Sequence, residues 1–325
     1  MIKNSKIIGK NGLALLATLV LAACSNNAPP ASNTSQESLQ KTNQMCQIDR
    51  DVVIGQGHEF GDRSRNTLKS AFKAAAMNDF DAFMAAATNP YIQHSPDFKD
   101  GWKPIWDLLI NRPEGFSTKI IPWMGKEGFL DSGDFLVMFR EVNRGDGTPS
   151  SKIIDLMKFD ENGKYTEHWD IRQALSSSTA SGRSEITAAK QFTDNPVDYN
   201  NRTEQKNARI AIKFLNQAFN KGNLNKALDK LVAKDYIQHN PLIADGIEPV
   251  KKAFAEGKIA NLCYDIQHVL PQNDLVFVFS KVTSSQGVTA VVDILRIREG
   301  KLVEHWDVVQ QVPPQSEIPH NNGVF

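Results

Sequence analysis

The sequence predicts an α+β protein built from two tandem copies of one domain, and three observations carry that expectation. The first is an internal repeat. Tyr91 Ile92 Gln93 His94 Ser95 Pro96 recurs as Tyr236 Ile237 Gln238 His239 Asn240 Pro241, each followed by an Asp-Gly pair, Asp100 Gly101 and Asp245 Gly246. Ile154 Asp155 and Glu167 His168 Trp169 Asp170 then recur in the same order as Val292 Asp293 and Glu304 His305 Trp306 Asp307. So long a period means a duplicated domain, not a solenoid. The second is a helical period at the front of each copy, and the third is a run of strand-like segments that fills the rest.

In order along each copy, the spacing of Leu68, Ala71, Phe72, Ala75 and Ala76, and of Ala211, Phe214, Leu215, Ala218 and Phe219, puts one apolar stripe on a first helix. A second, short helix is expected to run up to the Tyr-Ile-Gln-His motif, ended by Asn89 Pro90 in copy one and by Lys234 Asp235 in copy two. Pro249 to Glu256 reads as a third. Leu275 to Phe279 and Val288 to Ile297 are rich in β-branched and aromatic residues, and Lys301 to Gln310 follows the Glu299 Gly300 turn, which predicts an antiparallel sheet.

At 325 residues, with 37 basic and 37 acidic side chains, the chain has the composition of an ordinary globular protein and lacks the basic excess of a nucleic-acid binder. Its front is different. Lys3, Lys6 and Lys10 precede an apolar run from Leu13 to Leu21, too short for a membrane span and laid out as an export signal. The expected organisation is a leader at 1–23, a tether at 24–45 too poor in apolar residues to fold, a first domain at 46–175, a linker at 176–202, and a second domain with its tail at 203–325. Cys46 and Cys263 either pair across the two halves or stay as separate thiols.

Leu21 Ala22 Ala23 Cys24 resembles the lipobox of bacterial lipoproteins, which implies lipidation at Cys24 and anchoring to a membrane of the bacterial envelope. Ser25 after that cysteine implies the outer membrane, facing the periplasm. The order helix, Tyr-Ile-Gln-His-Asn-Pro, Asp-Gly, helix, strands, Val-Asp-Ile-x-Arg, Glu-His-Trp-Asp resembles the SnoaL-like polyketide cyclases of the nuclear transport factor 2-like superfamily, with copy two the closer match. The resemblance implies two cone domains, each with about three helices against a curved sheet around one pocket for a small molecule. It also implies pairing of the two domains through their outer sheet faces within one chain.

Strand parity selects the residues that share the pocket. A two-residue turn at Glu299 Gly300, and a three-residue one at Glu161 Asn162 Gly163, set Asp293 opposite Trp306 and Asp155 opposite Trp169. Asp293 would then share its face with Trp306 and Glu304, while His305 and Asp307, like His168 and Asp170, would point to the outer face as a polar contact between sheets. A carboxylate among apolar side chains has a raised pKa and makes a better base near neutral pH. Asp293 and Asp155 are therefore the candidate bases for removing a proton α to a carbonyl. His239 and His94 are the candidate donors, and Trp306, Trp169, Glu304, Tyr236 and Gln238 the candidate lining.

Each has a plainer reading beside it. The Asp can pair with Arg296, the histidine can cap the turn, and the tryptophans can be core. Parity separates His305 from Asp293 and so speaks against a metal triad with His239. The Gly55 Gln56 Gly57 His58 Glu59 Phe60 Gly61 stretch has the wrong spacing for a dinucleotide loop, and no cofactor motif is found. Two functions stand: an aldol or isomerase enzyme using Asp/His acid-base chemistry, and a binding module holding a small apolar ligand. Copy one, with Ser95 for Asn240 and Leu156 Met157 Lys158 for Ile294 Leu295 Arg296, reads as the degenerate half.

Overall fold

The computed structural model describes residue 46 and residues 52–190 and 201–325. The leader, the whole tether, residues 47–51 and part of the linker lie outside these residues. The fold is α+β with two curved sheets, each wrapped around its own helices. Domain 1 runs α1 (Gly61–Ala76), α2 (Phe80–Met84), β1 (Ala87–Gln93), α3 (Lys103–Ile110), β2 (Ser117–Ile120), β3 (Phe129–Ser132), β4 (Phe135–Asn143), β5 (Ser151–Phe159) and β6 (Tyr165–Ala174). Domain 2 runs α4 (Asn201–Leu215), α5 (Leu224–Leu231), β7 (Val232–Gln238), α6 (Ile247–Ala255), β8 (Cys263–Gln272), β9 (Leu275–Ser284), β10 (Gly287–Arg298) and β11 (Lys301–Gln311).

The strand orders match, β1-β6-β5-β4-β2 with β3 also on β4, and β7-β11-β10-β9-β8. One expectation needs correcting here. The Tyr-Ile-Gln-His motif does not end a helix; it ends an edge strand that pairs in parallel with the last strand of its copy. The helix before it stops at Met84 or Leu231, and the β-branched and aromatic residues that follow take up the sheet edge.

The first helices differ in what they bury. In α4, Ala211, Phe214 and Leu215 are all in the core. In α1 only Leu68 and Ala71 of the predicted stripe are buried, and Phe72, Ala75 and Ala76 line a cavity instead. Domain 1 is therefore the hollow one at this point, where domain 2 is packed.

A third apolar core forms between the outer sheet faces. Val137, Phe139, Ile154, Leu156 and Trp169 of domain 1 meet Phe277, Phe279, Val292, Ile294, Trp306 and Val308 of domain 2. The contact is pseudo-twofold: Gln173 accepts from Val309 N at 3.0 Å and Gln310 accepts from Arg172 N at 2.9 Å. The segment before α4 and the C-terminal tail play matching parts. Trp306 Nε1 donates to Thr187 O, while Ile318, Val324 and Phe325 of the tail join the same core.

The N-terminal arm of the sequence-predicted first domain lies on the second. Ile54 bridges Val269 in parallel, covering the β8 edge, and Cys46 is joined to Cys263 as a disulfide, so the two cysteines are paired. Replacing both with serine is expected to lower stability by about 2–4 kcal/mol, read as a fall in thermal midpoint matched by reduction of the parent. The arm then reaches His58, whose Nδ1 lies 2.8 Å from Asp131 Oδ1 of domain 1 and whose Nε2 lies 2.9 Å from Glu204 Oε2 of domain 2. Hydrogen bonds to Asp131 and Glu204 raise its pKa to about 10.

A pKa raised on folding stabilises fully below the ordinary histidine value and is lost as pH climbs through about 10. Parent protein should therefore lose thermal stability between pH 7 and 10 more steeply than His58→Gln. Parallel curves for the two would show that the clamp contributes nothing.

Candidate functional site

The turns behave as their residues dictate. Glu299 and Gly300 both have positive φ, 52° and 76°, and Arg298 pairs Lys301. Past Ile297 and Leu302, however, the register slips by one residue at Val303, and the same happens at Thr166 in copy one. Asp293 therefore faces Asp307, not Trp306, and Asp155 faces Asp170, not Trp169. The bulge inverts the predicted grouping in both copies. His305 and Asp307, and His168 and Asp170, share the inner face with the central aspartates; they are not an outer-face contact between sheets.

Trp306, Trp169 and Glu304 are removed from the pocket lining by the same slip. Both tryptophans sit in the inter-domain core. Glu304, wholly buried, accepts from Ala189 N at 2.7 Å and from Arg296 Nε at 3.0 Å. The histidines of the Tyr-Ile-Gln-His motifs follow them to the outer face. His239 stacks on Trp306 and lies between Ser184 O (2.8 Å) and Glu304 Oε1 (2.9 Å). His94 stacks on Trp169 and lies between Gly323 O (3.0 Å) and Glu167 Oε2 (3.1 Å). Neither reaches its central aspartate, because the residue after the last paired strand position turns away from the cone. Their role is to fasten the linker to domain 2 and the tail to domain 1.

In domain 2 the inner face gathers Tyr236, Gln238, Asp293, His305 and Asp307, all largely buried. His305 donates to Gln238 Oε1 at 3.0 Å and to Asp293 Oδ1 at 2.9 Å. With acceptors on both nitrogens the ring is held charged: burial pulls its pKa down, and the Asp293 hydrogen bond and charge outweigh that. Burial pushes the Asp293 carboxyl up, against the lowering effect of the His305 hydrogen bond and charge. Asp307 goes the other way. Burial raises it, but Lys152, His305 and Asn240 together hold it low. Lys152 comes from β5 of domain 1, fully buried, with its Nζ 2.7 Å from Glu185 and 3.5 Å from Asp307. It can reach because β7 pairs with β11 only as far as His305, which leaves the sheet edge open beside Asp307.

Domain 1 carries the same positions with different partners. Asp155 is gripped by Arg140, whose Nε and Nη2 donate to its two oxygens at 2.6 and 2.9 Å, and by His168 Nε2 at 3.2 Å. Burial alone would raise its pKa; the charges and hydrogen bonds of Arg140 and His168 together outweigh this and hold it at about 2. Asp155 is thus a paired anion, not the raised base expected of it. Arg140 stands where domain 2 has Ser280, two positions from the central aspartate's own partner on the neighbouring strand. The repeat could not reveal it, since the copies differ there.

Asp170 has a hydrogen bond from Ser95 but no salt bridge among the described residues. It is 5% exposed, its Oδ1 has no hydrogen-bond partner among the described residues, and burial with repulsion from Asp155 raises its pKa to about 6. The reason is one residue. Lys152 lies three positions before Asp155 and neutralises Asp307 across the pseudo-twofold; the position three before Asp293 is Ala290, which has nothing to offer Asp170. Asp170, Asp155, His168 and Arg140 line a cavity of about 400 Å³ together with Tyr91, Trp102, Met138, Met157 and Tyr165. The Tyr91 hydroxyl is buried and has no hydrogen-bond partner among the described residues. Burial and the nearby carboxylates push its pKa well above 10, so it stays a neutral donor. Among the described residues no group of three or more His, Cys, Asp or Glu could hold a metal ion, and no helix is long and apolar enough to cross a membrane.

Comparison with known proteins places these observations. No curated protein matches the chain. Similar solved structures include one described as a SnoaL-like polyketide cyclase from Jannaschia sp. CCS1, 13% identical over 38% of this chain and 99% of that one, TM-score 0.32. A second, described as a polyketide cyclase from Acidithiobacillus ferrooxidans, is 17% identical over 35% of this chain and 91% of that one, TM-score 0.28. A third, an NTF2-like protein of unknown function from Mesorhizobium loti, is 18% identical over 36% of this chain and all of that one, TM-score 0.30. Residues 211–305 match the family described as the SnoaL-like domain.

Proposed function

We propose that the chain is an exported, lipid-anchored tandem SnoaL-like protein whose domain 1 cavity binds a small carbonyl compound and transfers a proton at the carbon beside the carbonyl. The observation that carries this is Asp170, an acid with a pKa of about 6 in an apolar cavity beside a neutral phenol. Asp170 would take the proton from carbon, and the bond pair would move onto the carbonyl oxygen, where the Tyr91 hydroxyl would stabilise it. Returning the proton to a different carbon completes an isomerisation; attack by the carbanion on a second carbonyl, whose oxygen then takes the proton back from Asp170, completes an aldol step. Arg140, Asp155 and His168 position and neutralise one wall of the cavity. In domain 2 the equivalent acids are engaged by His305 and Lys152, which fits a supporting role for that half.

Anchoring at Cys24 in the periplasm-facing outer membrane is part of the same reading. The joined Cys46 and Cys263 support an oxidising compartment. Replacing Cys24 with serine should release the protein from the membrane fraction.

The chemistry is tested with protein lacking residues 1 to 24, incubated with a panel of ketones and aldehydes in deuterated water and followed by loss of the α-proton signal. Exchange that needs Asp170 and tolerates Asp293→Asn supports the assignment. Exchange abolished by Asp293→Asn and retained by Asp170→Asn would move the site to domain 2. Compounds that bind without exchange in any variant would make the protein a carrier of a small apolar ligand.

A further inference from the structure

We infer that the domain 1 cavity takes an organic anion with an apolar body, its charged end held by Arg112. The inference rests on reading that cavity as the functional site and adds the class of molecule it admits. Arg112 lines the cavity, is exposed, and lies over the Phe116 ring at 4.9 Å from its centroid. Among the described residues no carboxylate forms a salt bridge with it, in contrast to Arg140, which lines the same cavity and is paired in bidentate fashion with Asp155. Burial and the charge of Arg140 act against its protonated form, so a cation stands there uncompensated.

Other walls are apolar or aromatic, among them Trp102, Leu109, Met138 and Met157. Asp155 and Asp170, which line the same cavity, would repel an anionic group. An amphiphilic anion is therefore expected to place its charge at Arg112 and its apolar body along the walls, away from the Asp155 and Asp170 carboxylates. A guanidinium stacked on a ring and free of protein carboxylates suits a carboxylate or sulfonate, which it can bind through two parallel N–H donors.

The test uses two fluorescent probes of the same shape, 8-anilinonaphthalene-1-sulfonate and the neutral N-phenyl-1-naphthylamine, titrated into protein lacking residues 1 to 24. The sulfonate should bind at least about tenfold more tightly, and Arg112→Gln should remove that advantage while leaving the neutral probe unchanged. Arg112→Lys should retain part of it. Ala76→Trp, at an exposed position on the cavity lining, should exclude both probes. Equal affinities in the parent, an equal loss for both probes in Arg112→Gln, no binding of either, or binding that survives Ala76→Trp would overturn the inference. Selective anion binding without deuterium exchange would support it while ending the proton-transfer reading, so the two fail separately.

Discussion

Asp170→Asn is expected to abolish α-proton exchange, a loss of about 10²–10⁴-fold, while raising thermal stability at neutral pH. Asparagine keeps the shape and removes the base. The stability gain follows from linkage. A carboxyl whose pKa rises from 3.8 to about 6 on folding is disfavoured as an anion in the native state. That penalty, about 2–3 kcal/mol, is fully present above pH 6, shrinks as pH falls through the interval, and is gone below pH 4. The variant's advantage should therefore be visible at pH 7.5 and absent near pH 4. In the parent, the exchange rate should rise with pH through about 6 and then level off as Asp170 becomes fully ionised. A rate that falls over that interval, or a variant no more stable than the parent at pH 7.5, would remove Asp170 from the role of base.

Lys152→Met is expected to cost about 3–5 kcal/mol, because it leaves Glu185 and Asp307 buried without their cation. The thermal midpoint should drop by about 6–10 °C, taking about 2 °C per kcal/mol for a chain of this size. Much of the loss should be recovered by adding Glu185→Gln, since the damage lies in the stranded charge more than in lost packing. The same substitution bears on the asymmetry between the halves: without Lys152, Asp307 should titrate closer to Asp170, a change that NMR of the carboxyl carbons would follow. An unchanged midpoint would mean that the lysine contributes no net stability at the interface.

Much was legible before any coordinates. The duplication, the α+β class, the first and third helices, the last three strands and the hairpin at Glu299 Gly300 follow from local pattern, and local pattern is what fixes periodicity and turn chemistry. Tyr236, Gln238, Asp293 and Asp155 lie on the inner faces. The site was misread at two points, each non-local. The bulges at Val303 and Thr166 carry no signature residue, yet each moves every later side chain of its strand to the opposite face. That exchanged Trp306 and Glu304 for His305 and Asp307. The second was charge pairing. Arg140 and Lys152 lie outside the repeated motifs, so the repeat drew attention away from the two side chains that set the ionisation of the acids.

The sequence by itself determined that one domain is written twice, that each copy ends in a sheet carrying an acid on its inner strand, and that tryptophan and histidine recur beside it. Only the tertiary structure decided which acid is left without a salt bridge. Ionisation depends on what lies within a few ångströms across strands and across the domain interface, and there a lysine opposite one aspartate and an alanine opposite its twin make two near-identical motifs chemically different.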